Sequence, residues 1–112
     1  MESLRQQKVS RLLQKELSAS FQRESKEHFG GALITVTIVR VSSDFSVAKI
    51  YLSLFLAKDK NDLLKKINER KWDLRKNLAS TFKSQMRIVP ELIFYIDDSY
   101  DYAARIDELL KQ

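Results

Sequence analysis

The chain has 112 residues, room for one domain and one core, and a hydrophobic content of 44% that suits a folded globule and not a disordered segment. It has no cysteine, which excludes disulfides and thiolate metal sites, and no apolar run approaches the roughly 20 residues of a membrane span. The net charge of +5 and pI near 9.5 suit a polyanionic partner.

The first long segment reads as a helix, with Val9, Leu12, Leu13, Leu17 and Phe21 at helical spacing. Its start is amphipathic and mixed in charge, without the uninterrupted apolar stretch of a signal peptide. Gly30-Gly31 ends it and turns the chain. Ala32 to Val41 is rich in β-branched residues and reads as a strand, followed by turn chemistry at Ser42-Ser43-Asp44. A second strand runs from about Ser46 to Phe55, and the short connection predicts an antiparallel hairpin. The even-numbered positions of both strands are expected to face the helices.

Asp59 or Asn61 can cap the next helix, which carries Leu63, Leu64, Ile67, Leu74, Leu78 and Phe82 to about residue 86. Near residues 70–72 the stripe breaks, because Lys71 sits where an apolar residue is due and Trp72 is off phase. That predicts a kink or a junction between two helices. Pro90 cannot continue a helix, and Leu92 to Ile96 reads as a third strand. Asp98 or Ser99 can cap a final helix with Tyr102, Ile106, Leu109 and Leu110 on its apolar side. The order α-β-β-α(α)-β-α describes an α+β sandwich with a three-stranded sheet and helices on one face.

Charge is polarised along this order. Residues 61–87 hold eight Lys/Arg against three acids, whereas residues 91–112 hold six acids against two Lys/Arg. Arg5, Lys8, Arg11 and Lys15 share one side of the first helix. A charge run on a helix is usually its solvated face. A second basic set on the central helices shifts the balance toward an anion, since like charges on adjacent helices repel one another without one. Lys and Arg reach phosphate oxygens without reading sequence. Trp72, among Arg70, Lys71 and Arg75, can contact a base or ribose, although junction packing explains it as well. Tyr51, Tyr95, Thr35 and Thr37 can lie on the open face of the sheet, with ordinary sheet packing as the plainer explanation.

Catalytic chemistry is poorly provided for. His28 is the single histidine and stands beside the Gly-Gly turn, where a solvated helix end explains it. Asp97, Asp98 and Asp101 invite a hard cation, but helix capping accounts for them better. Both glycines fall at 30–31, so no glycine-rich phosphate cradle can form. No enzyme activity, cofactor or metal is expected.

Four stretches carry a resemblance to a known family, bacterial ribosome-binding factor A. They are Arg5-Gln6-Gln7-Lys8-Val9 with Gln14-Lys15-Glu16-Leu17, then Thr35 to Asp44, then Ala48 to Ser53, and finally Arg87-Ile88-Val89-Pro90-Glu91-Leu92-Ile93-Phe94 followed by Asp97-Asp98-Ser99. Their order and spacing span almost the whole chain. The resemblance implies a type II KH-like fold, α-β-β-α-α-β. It also implies a non-enzymatic, cytoplasmic factor that binds the small (30S) ribosomal subunit through 16S rRNA during late maturation and rRNA processing, in a family associated with growth in the cold. One departure is clear. Such proteins usually carry an Ala-x-Gly kink between the two central helices, and here Arg70-Lys71-Trp72 stands at that place with no glycine after Gly31. Arg75 and Arg87 match positions where the family commonly carries arginine.

The expectation is therefore one RNA-binding domain over residues 1–112, monomeric and without membrane contact. Its footprint comprises Arg5, Lys8, Arg11, Lys15, Lys65, Lys66, Arg70, Lys71, Trp72, Arg75, Lys76, Lys83 and Arg87. A general single-strand RNA binder of KH type and a protein-interaction module, docking through an acidic final helix, are the alternatives.

Overall fold

A computed structural model of the chain describes residues 2–54, 56–82 and 89–99. Within them the order is α1 (Leu4–His28), β1 (Thr35–Val41), β2 (Val47–Ser53), α2 (Lys60–Glu69), α3 (Lys71–Thr81) and β3 (Glu91–Ile96). The α+β reading with helix-strand-strand-helix-helix-strand order holds. The expected final helix lies outside the described residues beyond Ser99.

Helix α1 begins at a reciprocal capping box. The Gln6 N–H donates to Ser3 Oγ at 3.1 Å, and the Ser3 N–H donates to Gln6 Oε1 at 2.8 Å. Leu13, Leu17 and Phe21 lie on its buried side. At its end Gly30 and Gly31 adopt φ of 62° and 77°, left-handed values that cost little only for glycine. This turn lets the Gly31 N–H reach back to the Ser25 carbonyl at 2.8 Å.

The sheet has the order β1-β2-β3, with β1 and β2 antiparallel and β2 and β3 parallel. A parallel pair needs a crossover, and α2 with α3 supplies it. Ala48, Ile50, Leu52 and Leu54 are buried as their even phase predicts. In β1 the expectation fails after Val36. The register shifts between Val36 and Ile38, so Val39 and Val41 are buried and Ile38 is 42% exposed. A bulge of one residue turns every later side chain to the other face. The extra residue is Thr37, whose Oγ1 lies 2.6 Å from Asp97 Oδ2 and 3.2 Å from the Tyr51 carbonyl. Outward carbonyls of β1 are satisfied by α1, with Gln6 Nε2 donating to Val41 at 2.9 Å and Gln14 Nε2 to Val36 at 3.1 Å.

The hairpin turn is held by Asp44. Its Oδ1 accepts from the Ser46 N–H at 3.1 Å, from Ser46 Oγ at 2.7 Å and from Ser42 Oγ at 2.8 Å, and these donors lower its pKa to about 2. The next residue, Phe45, takes φ of 62°, a conformation costly for an aromatic side chain.

Asp59 caps α2 by accepting from the Asp62 N–H at 3.0 Å. The break expected near 70–72 is a true joint. Arg70 alone separates α2 from α3, at φ −92° and ψ 3°, values open to any residue. The joint therefore needs no glycine. Arg70 is instead clamped. Its Nε donates to Glu24 Oε1 on α1 at 3.1 Å, its Nη2 makes a very short contact with the same oxygen, and its Nη1 donates to Asp73 Oδ2 at 3.0 Å. Leu63, Ile67, Leu74, Leu78 and Phe82 then face the same core as α1 and the inner side of the sheet.

Three outcomes follow from these contacts. Val39→Thr buries a hydroxyl and should cost about 1–3 kcal/mol in urea unfolding, whereas Ile38→Thr should change stability by less than about 0.5 kcal/mol. Glu24→Ala leaves the half-buried Arg70 guanidinium short of its main partner and should cost about 2–3 kcal/mol, somewhat below the cost for a fully buried pair. Asp44 has its carboxyl held below the unfolded value of 3.8, so its contribution is complete above that pH and is lost as pH falls toward about 2. Asp97, lowered by Thr37 and Ser99, acts in the same direction. Wild type should therefore lose more stability than Asp44→Asn between about pH 4 and pH 2, measured by urea midpoints along the pH series.

Candidate nucleic-acid interface

The α1 cations are presented as the sequence suggested. Arg5, Lys8, Arg11 and Lys15 are all exposed on the side away from Leu13 and Leu17. Among the described residues Lys8, Arg11 and Lys15 enter no ion pair. Arg5 lies over the Phe45 ring, 5.2 Å from its centroid, so the strained hairpin tip steadies the first cation of the row. Phe45 escaped the sequence reading, because its partner is 40 residues away and its left-handed φ is set by the turn.

The central helices divide their basic residues differently. Lys65 is exposed and unpaired among the described residues, and Lys66 is exposed but within 3.4 Å of Asp62 one turn earlier. Such an exposed pair is weak and yields readily to a phosphate. Arg70 is occupied by Glu24 and Asp73, and this pairing raises its pKa above the ordinary guanidinium value. Arg75 also turns inward. Its Nε donates to the Pro90 carbonyl at 3.2 Å and its Nη2 to the Val89 carbonyl at 2.9 Å, fixing the approach to β3. Lys71 is half-buried, with Nζ 5.9 Å from the centroid of the buried Phe94 ring. Three of the proposed contacts thus have internal work: one holds the joint, one holds the chain before β3 and one packs on the core.

Trp72 is 68% exposed, and Lys76 lies over its ring at 5.2 Å. With Arg75, Ala79 and Val89 they line an open hollow of about 330 Å³. This is an exposed aromatic face beside a cation, the arrangement on which bases stack. Lys83 and Arg87 lie outside the described residues. The outward part of this second patch is therefore Lys65, Lys66, Trp72 and Lys76.

The two patches do not merge into one. Glu24 meets the joint at Arg70, and Lys15 stands nine residues back along α1, about 14 Å at the helical rise. Arg5 is about 28 Å from Glu24 by the same measure. The α1 row belongs to the hairpin-tip end of the helix and the Trp72 patch to the joint end.

Acidic groups near the end of β3 are engaged locally. Asp97 accepts from Thr37 and, through Oδ1, from the Ser99 N–H at 2.9 Å, and these bonds lower its pKa. Asp98 lies 3.8 Å from Lys60. No group of three or more His, Asp or Glu able to hold a metal occurs among the described residues, and no helix among them is long and apolar enough to cross a membrane. His28 ends α1 with its ring 3.8 Å from Glu27.

Comparison with known proteins agrees with this geometry. The family model described as ribosome-binding factor A matches residues 5–110. The ribosome-binding factor A of Cytophaga hutchinsonii is 50% identical over 112 residues, covering 100% of this chain and 84% of its own. That of Prosthecochloris aestuarii is 45% identical over 112 residues, covering 98% and 89%. Among solved structures, the crystal structure of ribosome-binding factor A from Thermus thermophilus superposes with a TM-score of 0.68 at 25% identity, over 81% of this chain and 94% of that one. A Thermus thermophilus ribosome-binding factor A model, fitted into the cryo-electron-microscopy map of a complex with the 30S subunit, matches at TM-score 0.53 and 27% identity, over 74% and 93%. The sequence motifs, the strand order and these relatives together place the chain in the ribosome-binding factor A family.

Proposed function

We propose that this chain is a non-catalytic assembly factor that binds the small ribosomal subunit through 16S rRNA, during late maturation and rRNA processing. The carrying observation is the row Lys8, Arg11 and Lys15. Three exposed cations stand on a rigid helix without ion-pair partners among the described residues. A row of that kind is a track for phosphates. The 30S complex of the Thermus relative supports the choice of polyanion.

In this reading Arg5, Lys8, Arg11 and Lys15 form the main phosphate contact, and Lys65, Lys66, Trp72 and Lys76 form the second. Lys71, Arg70 and Arg75 position the joint and the approach to β3 and contribute charge at longer range. Lys83 and Arg87, outside the described residues, complete the proposed footprint. The chain acts as one monomeric RNA-binding domain in the cytoplasm, with its greatest importance in the cold, where misfolded rRNA rearranges slowly. No cofactor or metal takes part. Asp44 and Asp97 are poor candidates for general bases, because hydroxyl and amide donors hold both carboxylates in their weakly basic state. A general KH-type RNA binder needs the Gly-x-x-Gly loop, and here a clamped Arg70 joint occupies the corresponding place.

Sedimentation of the full chain with purified immature 30S subunits, across a salt series, tests the proposal. Arg11→Glu with Lys15→Glu should weaken binding at least about tenfold near 0.1 M salt and lower the slope of log K against log salt by about 2. Binding and slope equal to wild type would exclude the α1 row as the contact.

A further inference from the structure

The described helices cover one face of the sheet, and the other face carries a second arrangement suited to RNA. Arg40 and Lys49 are exposed and directly opposite each other in the β1–β2 register. Like charges in that position repel, because facing Cβ atoms stand only about 5 Å apart. Neither residue has an ion-pair partner among the described residues. The adjacent row across the sheet is Ile38, Tyr51 and Tyr95, again in register. The two tyrosine rings stack with centroids 5.2 Å apart and planes 23° from parallel, and Tyr95 is 38% exposed. Rows on one face are two residues apart along a strand, about 7 Å.

We propose that this open face binds single-stranded RNA, with a base stacked against the Tyr51–Tyr95 pair and its phosphate between Arg40 and Lys49. The proposal rests on the reading that the partner is RNA and adds a site on the side of the sheet opposite the helices. Charge complementarity favours this occupant. Two unpaired cations facing each other are relieved by an anion, and stacked rings accept any base without sequence readout. The acids bounding the face are Glu91, in register with Val47 beyond the cation row, and Asp97, engaged by Thr37 at the other end. They confine the phosphate to the Arg40–Lys49 row. The bulge at Thr37 is what creates the site, because it turns Ile38 and Arg40 outward beside Tyr51 and Lys49. With RNA on the helices and on the sheet, the protein is inserted between two segments of rRNA.

The test uses the full chain with fluorescein-labelled heptauridine and heptaadenosine, read by anisotropy, beside 30S sedimentation. Tyr95→Ala should weaken oligonucleotide binding about tenfold, and Tyr95→Phe should stay within about twofold of wild type. Arg40→Gln with Lys49→Gln, both exposed, should reduce the salt slope on the oligonucleotide by about 0.7, the share of one phosphate. Wild-type failure to bind either oligonucleotide, or an unchanged affinity and slope in the Arg40/Lys49 double variant, overturns the proposal whatever Tyr95→Ala does. Loss of 30S binding in Tyr95→Ala without loss of oligonucleotide binding also overturns it, because the face would then meet folded rRNA or a protein instead of a single strand. The α1 variant separates the two readings: it should lose 30S affinity while keeping oligonucleotide affinity. Retained 30S affinity there would sink the α1 footprint and leave the sheet site standing.

Discussion

Three strands of six or seven residues present two faces, and the described helices cover only one of them. The display of charge on the helices and on the outer strands follows from that one-sided burial. Leu13, Leu17 and Phe21 of α1, with Ile67, Leu74 and Leu78 of the central pair, must meet Ile50, Leu52 and Leu92 on the inner face. Once they do, the opposite side of each helix is committed to solvent. The cations at positions 5, 8, 11 and 15 are displayed because the apolar stripe of the same helix is taken up.

The clamp at Glu24, Arg70 and Asp73 solves a backbone problem with side chains. The family resemblance leads to an expectation of an Ala-x-Gly kink where the crossover bends. Here the bend is made with ordinary dihedrals at Arg70, and its angle is held by a charge-assisted fork from one helix to another. The fork ties the joint end of α1 to the base of the Trp72 patch. The same trade appears at Arg75, whose guanidinium serves the Val89 and Pro90 carbonyls. Arginines in a basic segment are thus not equivalent to its lysines. The guanidinium fork suits internal carbonyl and carboxylate groups, while Lys65 and Lys76 remain outside.

The outer face of the sheet follows from the bulge. Without the extra residue at Thr37, the chain from Ile38 to Val41 would present Ile38 to the core and Val39 to solvent. Thr37 absorbs the shift by bonding to Asp97 beyond the far strand. The Arg40–Lys49 and Tyr51–Tyr95 rows therefore sit side by side because of a local irregularity that also ties β1 to the end of β3.

Much of the fold was legible in the chain itself. Periodicity marked the apolar stripes of α1 and of the central helices, Gly30-Gly31 the end of α1, Ser42-Ser43-Asp44 the hairpin, Asp59 or Asn61 the cap of α2, residues 70–72 the joint and Pro90 the approach to β3. These are local signals, fixed by dihedral preference and by hydrogen bonds within a few residues. Which cations remain free was not legible. Arg70 looks like Lys65 in a list of basic residues, and only its approach to Glu24, 46 positions away, removes it from the surface. The phase of β1 was hidden for the same reason, since a bulge is defined by the partner strand. The sequence by itself determined the order of elements, the family and the excess of positive charge. Tertiary structure decided which charges face outward and which hold the fold, because ion pairing depends on distances across the molecule that no spacing along the chain records.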